Sequence, residues 1–212
     1  MKKMTKFFAL ALLAGAMVSC STEDIAPSTQ NDKVAVQFTG GISVNTRAAG
    51  VAWADGDKIG IFMIEAGKTL SADVIKEGVD NVCYQSNGSI AFSPVSGGKT
   101  VFFPIDGDVD FYSYYPQTTV NDYKVALDVT DQTKQETIDF MYAKTEGCNK
   151  ATPQVDLKFF HKLSNLILDV QPGNGLTQED LKKMTVTVKG QNTKATFNLV
   201  DGTISGEETP AD

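Results

Sequence analysis

Short runs in which apolar and polar residues alternate recur along the chain from residue 33 to residue 200. In the first run, Val34, Val36 and Phe38 alternate with smaller or polar neighbours, and this period of two is typical of a half-buried β-strand. Many short strands with turn signals between them, such as Asn87-Gly88, predict an all-β fold of the sandwich type. The further runs cover residues 59–64, 79–84, 89–92, 99–103, 109–115, 123–129, 138–142 and 155–170.

Aromatic residues crowd one of these runs, residues 109–115. Because side chains alternate along a strand, Phe111 and Tyr115 are expected on one face, and Tyr112 and Tyr114 on the other. We expect a sandwich strand with one face in the core and one face in water. The alternation argues against a single sugar-stacking surface made of all four rings.

Towards its end the chain combines a short helix with further alternating runs. Thr177 as N-cap, with Asp180 three residues later, predicts a helix over residues 177–184. Asp201-Gly202 predicts a hairpin turn. Alternation typical of strands returns over residues 184–189, 194–200 and 203–205.

The first 32 residues have the order of a secretory signal followed by a tether. Lys2, Lys3 and Lys6 precede an uncharged apolar run over 7–18, which is shorter than the ~20 residues of a membrane-spanning helix. The boundary between Ser19 and Cys20 resembles a bacterial lipobox, which predicts signal cleavage there and acylation of Cys20. Residues 1–19 are therefore interpreted as a lipoprotein signal peptide, and the polar residues 20–32 as a flexible tether.

The net charge argues against nucleic acid as a partner, and the cysteine content permits one disulfide. Removing the three lysines of the leader lowers the formal net charge from −7 to about −10, whereas nucleic acid requires a basic face. Cys83 and Cys148 remain after lipidation of Cys20, and a disulfide between them is permitted beyond the inner membrane. Nothing in their spacing shows that they meet.

Few residues in the sequence indicate catalysis or metal binding. His161 is the single histidine, and a catalytic triad or a metal site needs more partners. Asp106, Asp108 and Asp110 have the spacing of calcium ligands, but the glycine and glutamate of a calcium loop are absent, so a solvated turn is favoured. Trp53 is expected to pack in the core. We therefore predict no enzyme activity, no metal and no cofactor.

An ordered series of short motifs resembles a known family. Trp53 precedes Gly56-Asp57 and the strand Ile59-Gly60-Ile61. Together with motifs at 100–104, 109–116, 139–143 and 155–164, this order resembles the fimbrillin family. That family comprises the lipoprotein-precursor subunits of type V pili and their surface relatives. The resemblance covers roughly residues 1–170.

The resemblance implies an architecture. Fimbrillin-like proteins usually have two β-sandwich domains with transthyretin-like Greek-key topology. Residues 33–175 would form the first domain, and residues 176–212 the start of a second one.

The resemblance also implies a function, a structural or adhesive fimbrial subunit held on the bacterial outer membrane by its lipid. In pilus-forming members a protease cuts the chain and removes the first strand. For this chain, the resemblance implies cleavage after Arg47, with Ala48 as the new N-terminus. Val34, Val36 and Phe38 are then the candidate residues for strand exchange. The expected partners are other fimbrial subunits or further copies of the chain, and receptors on host or bacterial surfaces.

Two other classes of function stay open on the sequence. A glycan-binding lipoprotein of a nutrient-uptake system fits the anchor but lacks a clear aromatic platform. A hydrolase fits least, since no nucleophile, base and orienting residue can be assembled.

Overall fold

The computed structural model describes residues 33–43, 52–133 and 135–206, and within them the chain is all-β, as predicted. The helical elements are short: the 3₁₀ helix Ala72–Val74, α1 (Gln135–Ile138) and α2 (Gln178–Leu181). The strands are β1 (Gln37–Ser43), β2 (Asp55–Glu65), β3 (Val82–Asn87), β4 (Ala91–Pro94), β5 (Val109–Tyr115), β6 (Lys124–Asp128), β7 (Met141–Cys148), β8 (Gln154–His161), β9 (Lys194–Asn198) and β10 (Thr203–Gly206).

Seven of the strands form one closed sheet in the order β1-β4-β3-β2-β5-β7-β8. Neighbouring strands are antiparallel except β1 and β8, which pair in parallel along the whole of β1 and so close the barrel. The remaining strands form a second antiparallel sheet in the order β10-β9-β6. Whether this arrangement is a Greek-key sandwich, and whether a domain boundary follows residue 175, stay predictions.

Two apolar cores follow from this arrangement. The first fills the barrel and includes Phe38, Ile61 and Phe111. The second lies between the outer face of β2, β5 and β7 and the three-stranded sheet, where Phe62 and Phe197 are buried. The second sheet therefore covers one side of the barrel.

The aromatic strand β5 shows both the success and the failure of the alternation argument. Phe111 and Tyr115 do lie in the barrel core, and Tyr112 and Tyr114 do lie in the second core. The expected wet face, however, was wrong, since all residues of β5 are buried. The reason is that β6 and β9 cover the face that a single sheet would leave in solvent.

Two predictions near the end of the described chain were confirmed, and both depend on residues that are close together in the sequence. Thr177 and Asp180 form the reciprocal capping box of α2, and Asp201-Gly202 lies in the turn between β9 and β10. The predicted strand over 184–189 was wrong, and the run 155–170 forms a strand only as far as His161. An alternating run forms a strand only where another strand takes up its N–H and C=O groups, and these stretches have no such partner among the described residues.

The described residues also bear on membrane insertion. Among them, no helix is both long and apolar enough to cross a lipid bilayer.

Candidate functional site: the first strand and its groove

The residues preceding β1 pair with the loop before β5. Val36 N–H donates to the carbonyl oxygen of Val101 at 3.0 Å, and Phe103 N–H donates to that of Val34 at 2.9 Å. The predicted strand residues Val34 and Val36 therefore do adopt an extended, paired backbone. Their partners come from the run 99–103, which was expected to be a strand but contributes only an isolated bridge.

Strand β1 itself is held on both edges. Along one edge it pairs in parallel with β8, and along the other it pairs antiparallel with β4. Gln37 N–H donates to the carbonyl oxygen of Pro153 at 2.9 Å, and Gly40 N–H donates to that of Ile90 at 2.7 Å. We call the space between β4 and β8 that β1 fills the first-strand groove. Without β1, both flanking edges would present unpaired backbone groups.

The apolar side chains of this segment point into the barrel. Val36 is 5% exposed and Phe38 is 2% exposed, while Val34 packs against the same core and is partly buried. The Phe38 ring makes edge-to-face contacts with Tyr84 and Phe111, with ring centroids 5.1 Å apart in both pairs. Such pairs are the favoured arrangement of aromatic rings, so the groove has a specific shape for a ring at this position.

Trp53 contacts β1 from inside the barrel. Its indole N–H donates to the carbonyl oxygen of Gly40 at 2.7 Å, and its ring packs edge-to-face on Phe92 and Phe159. With 5% of its surface exposed, Trp53 is a core residue, as predicted, and offers no exposed face for stacking a sugar.

A polar contact joins β1 to β8 on the outer face. The Thr39 hydroxyl donates to the carboxylate of Asp156, and the side-chain amide of Gln154 donates to the same carboxylate at 2.8 Å. These two hydrogen bonds, that from Thr39 first, lower the pKa of Asp156 below its ordinary value. The charged form of Asp156 is thereby tied to the presence of β1.

The residues of the anchor and of the processing site lie outside the described residues. This applies to the signal-cleavage pair Ser19 and Cys20 and to the protease-cleavage pair Arg47 and Ala48. Their roles stay predictions.

The imidazole of His161 is hydrogen-bonded to the carboxylate of Asp139. Its Nδ1 lies 2.8 Å from a carboxylate oxygen of Asp139, and its Nε2 is buried and has no hydrogen-bond partner among the described residues. No serine or cysteine completes a catalytic triad in these contacts. Within the described ranges, no group of three histidine, cysteine, aspartate or glutamate side chains could hold a metal ion.

Asp110 is a buried carboxylate in β5, the strand into which the predicted solvated turn leads. It is 1% exposed, and its two oxygens accept the backbone N–H groups of Gly67 and Gly147, each at 2.8 Å. It therefore joins the loop after β2 to the bulged strand β7. The available signal was its position between two apolar residues, Val109 and Phe111, inside a strand.

The two cysteines of the globular part do not pair. Cys83 and Cys148 are both free thiols and partly buried. Burial, followed by the negative charges of Asp110 and Asp108, raises the pKa of Cys148 to about 11. The thiol is therefore protonated at neutral pH and a poor nucleophile.

Comparison with known proteins places this geometry in a family. Residues 46–212 match the family model described as Fimbrillin-like. A candidate fimbrium subunit of Bacteroides uniformis, Fim1C, is 37% identical over 204 residues. The match covers 91% of this chain but only 64% of that relative, so the chain spans less than two thirds of its length.

Two crystal structures have the same fold over most of the chain. A candidate cell adhesion protein from Bacteroides uniformis superimposes with a TM-score of 0.62 and 32% identity, covering 85% of this chain and 69% of that one. A second candidate cell adhesion protein, from Bacteroides ovatus, gives a TM-score of 0.61 and 25% identity, covering 84% and 69%. With the match over residues 46–212, these likenesses lead to one conclusion: the chain belongs to the fimbrillin-like family.

Proposed function

We propose that this chain is a cell-surface subunit of a type V fimbrium, anchored by a lipid on Cys20 and joined to its neighbours by strand exchange in the first-strand groove. Membership of the fimbrillin-like family supports the class of function. The position of β1 supports the mechanism, since it fills a gap between two other strands and places Val36 and Phe38 in the core. A strand from a neighbouring subunit could satisfy the same backbone groups and the same apolar positions.

Proteolysis provides the step that opens the groove. Strand β1 ends at Ser43 and β2 begins at Asp55, so a cut between Arg47 and Ala48 falls between the two strands. Cleavage there by a trypsin-like protease breaks the covalent link between β1, with its lipid anchor, and the rest of the chain. Strand β1 can then leave the groove. The empty groove then accepts a strand from another subunit.

The proposal includes the setting of the subunit. The fold is interpreted as a transthyretin-like Greek-key sandwich, and residues 176–212 as the start of a second β-domain. The role is structural or adhesive and not enzymatic. The partners are other fimbrial subunits or further copies of the chain, and receptors on host or bacterial surfaces, with the outer membrane holding the anchored form.

The test is N-terminal sequencing of fimbrial material sheared from the cell surface. We expect assembled subunits to begin at Ala48. Arg47→Ala should abolish this N-terminus and the assembly with it, because the groove stays filled. Arg47→Lys is the matched control, since a trypsin-like protease still cleaves after lysine and assembly should persist.

Two results would contradict the proposal. One is an intact, lipidated N-terminus on all assembled subunits. The other is normal assembly of the Arg47→Ala variant with β1 still attached.

A further inference from the structure

A cleft of about 730 Å³ opens at the end of the barrel where β1 and β5 end and β2 and β7 begin. Its walls contain both apolar and polar residues, and the apolar ones include Ile42, Trp53, Ile138, Met141 and Leu163. The loop after β6 and the segment before β9 complete its rim with Gln132 and Asn192. This volume is in the range of small-molecule binding sites.

The charge of this cleft has one sign. Asp57 and Asp139 both line it, and among its described lining residues there is no lysine, arginine or histidine. The other polar groups are mostly side-chain amides, whose carbonyl oxygens accept hydrogen bonds. A cleft with apolar residues, two carboxylates and several amide oxygens is complementary to a cation on an apolar stem.

Both carboxylates are held in place before any ligand arrives. Asp139 contacts His161, whose side chain is 5% exposed, while 28% of the Asp139 side chain stays accessible. Asp57 accepts the N–H of Ala54 at 2.7 Å and the hydroxyl of Tyr115 at 3.0 Å. A fixed acceptor loses little side-chain entropy on binding.

We propose that this cleft binds an arginine side chain presented by a peptide segment of a partner protein. The aliphatic stem of arginine packs against the apolar wall residues, and its guanidinium donates to Asp139, Asp57 and the amide oxygens. Arginine fits better than lysine because its guanidinium is less strongly hydrated and has five donors for several acceptors. The cleft shares Ile42 of β1 and Trp53 with the first-strand groove, so the proposed site is that of the chain with β1 in place.

The test uses the lipid-free full chain and two amino-acid probes whose termini are blocked and uncharged. Isothermal titration calorimetry compares Nα-acetyl-arginine amide with Nα-acetyl-citrulline amide, which has nearly the same shape but no charge. Because Trp53 is the single tryptophan and lines the cleft, its fluorescence should change with the same saturation curve. We expect saturable arginine binding that weakens with salt and no measurable citrulline binding.

Variants locate the binding in the cleft. Asp139→Asn should weaken arginine binding by about tenfold or more, because the neutral amide accepts a weaker hydrogen bond from the guanidinium than the carboxylate does. Asn165 is an exposed residue at the rim of the cleft, so Asn165→Lys adds a positive charge at the cleft without changing the core. This variant should abolish arginine binding. Asp122→Asn, at a carboxylate that is 90% exposed on another surface, should leave it unchanged.

Several outcomes would overturn the inference. These are no saturable binding of the arginine probe at millimolar concentration, equal binding of citrulline, or equal binding of Nα-acetyl-lysine amide. Unchanged affinity in both Asp139→Asn and Asn165→Lys would also overturn it. None of these results touches the Arg47 experiment, so the two proposals fail separately.

Discussion

Two adjacent glycines in β1 differ sharply in how much space surrounds them. A Cβ atom built on Gly40 would lie 2.6 Å from a ring carbon of Phe92 and 3.3 Å from the indole nitrogen of Trp53. A Cβ atom on Gly41 would meet nothing within 4 Å. The barrel core therefore reaches the backbone of β1 at one residue and not at the next.

This contrast gives a matched pair of substitutions. Gly40→Ala should lower the free energy of unfolding by about 1–3 kcal/mol, because Phe92 and Trp53 must move to admit the methyl group. Gly41→Ala should change it by no more than about 0.5 kcal/mol. Urea denaturation of the lipid-free chain measures both. Equal stability of the two variants would mean that β1 is not packed as described.

At the scale of elements, the contact between Thr39 of β1 and Asp156 of β8 should make the pairing of these strands sensitive to acid. A carboxylate whose pKa is lowered in the folded state stabilises the fold above its unfolded pKa. That contribution is lost as the pH falls through the folded pKa. Because Asp156 is exposed, the contribution is small, on the order of 0.5 kcal/mol.

Thr39→Val removes the hydroxyl donor and should move the pKa of Asp156 up towards its ordinary value. Carbon-13 NMR titration of the Asp156 carboxyl group measures this directly. Thr145→Val is the control, since the Thr145 hydroxyl donates to the backbone oxygen of Asp156 at 3.1 Å and not to its carboxylate. A shift of equal size in both variants, or none in Thr39→Val, would refute the assigned cause.

For the whole molecule, the prediction concerns the anchor. Acyl chains contribute about 0.8 kcal/mol for each buried CH₂ group, so two or more chains on Cys20 hold a protein durably on a membrane. Cys20→Ala should release the protein or leave it unprocessed, whereas Cys83→Ala should fractionate with the outer membrane like the parent. Protease treatment of intact cells then tests exposure on the outer face. A Cys20→Ala variant that fractionates like the parent would disprove the lipid anchor.

The sequence by itself determined the features that depend on neighbours along the chain. Alternation placed Val36 and Phe38 on one face of a strand, because successive side chains point to opposite sides. Turn and cap residues placed the hairpin at Asp201-Gly202 and the helix start at Thr177, because these residues satisfy backbone groups only a few positions away.

Only the tertiary structure decided which surfaces those faces meet. The parallel pairing of β1 with β8, the cover of β6 and β9 over β5, and the two N–H donors of Asp110 all join segments far apart in the chain. Periodicity reports that a face is apolar or that a carboxylate lies in a strand, but it carries no information on the distant partner. For the same reason, the alternation over residues 184–189 could predict a strand that finds no partner strand in the described chain.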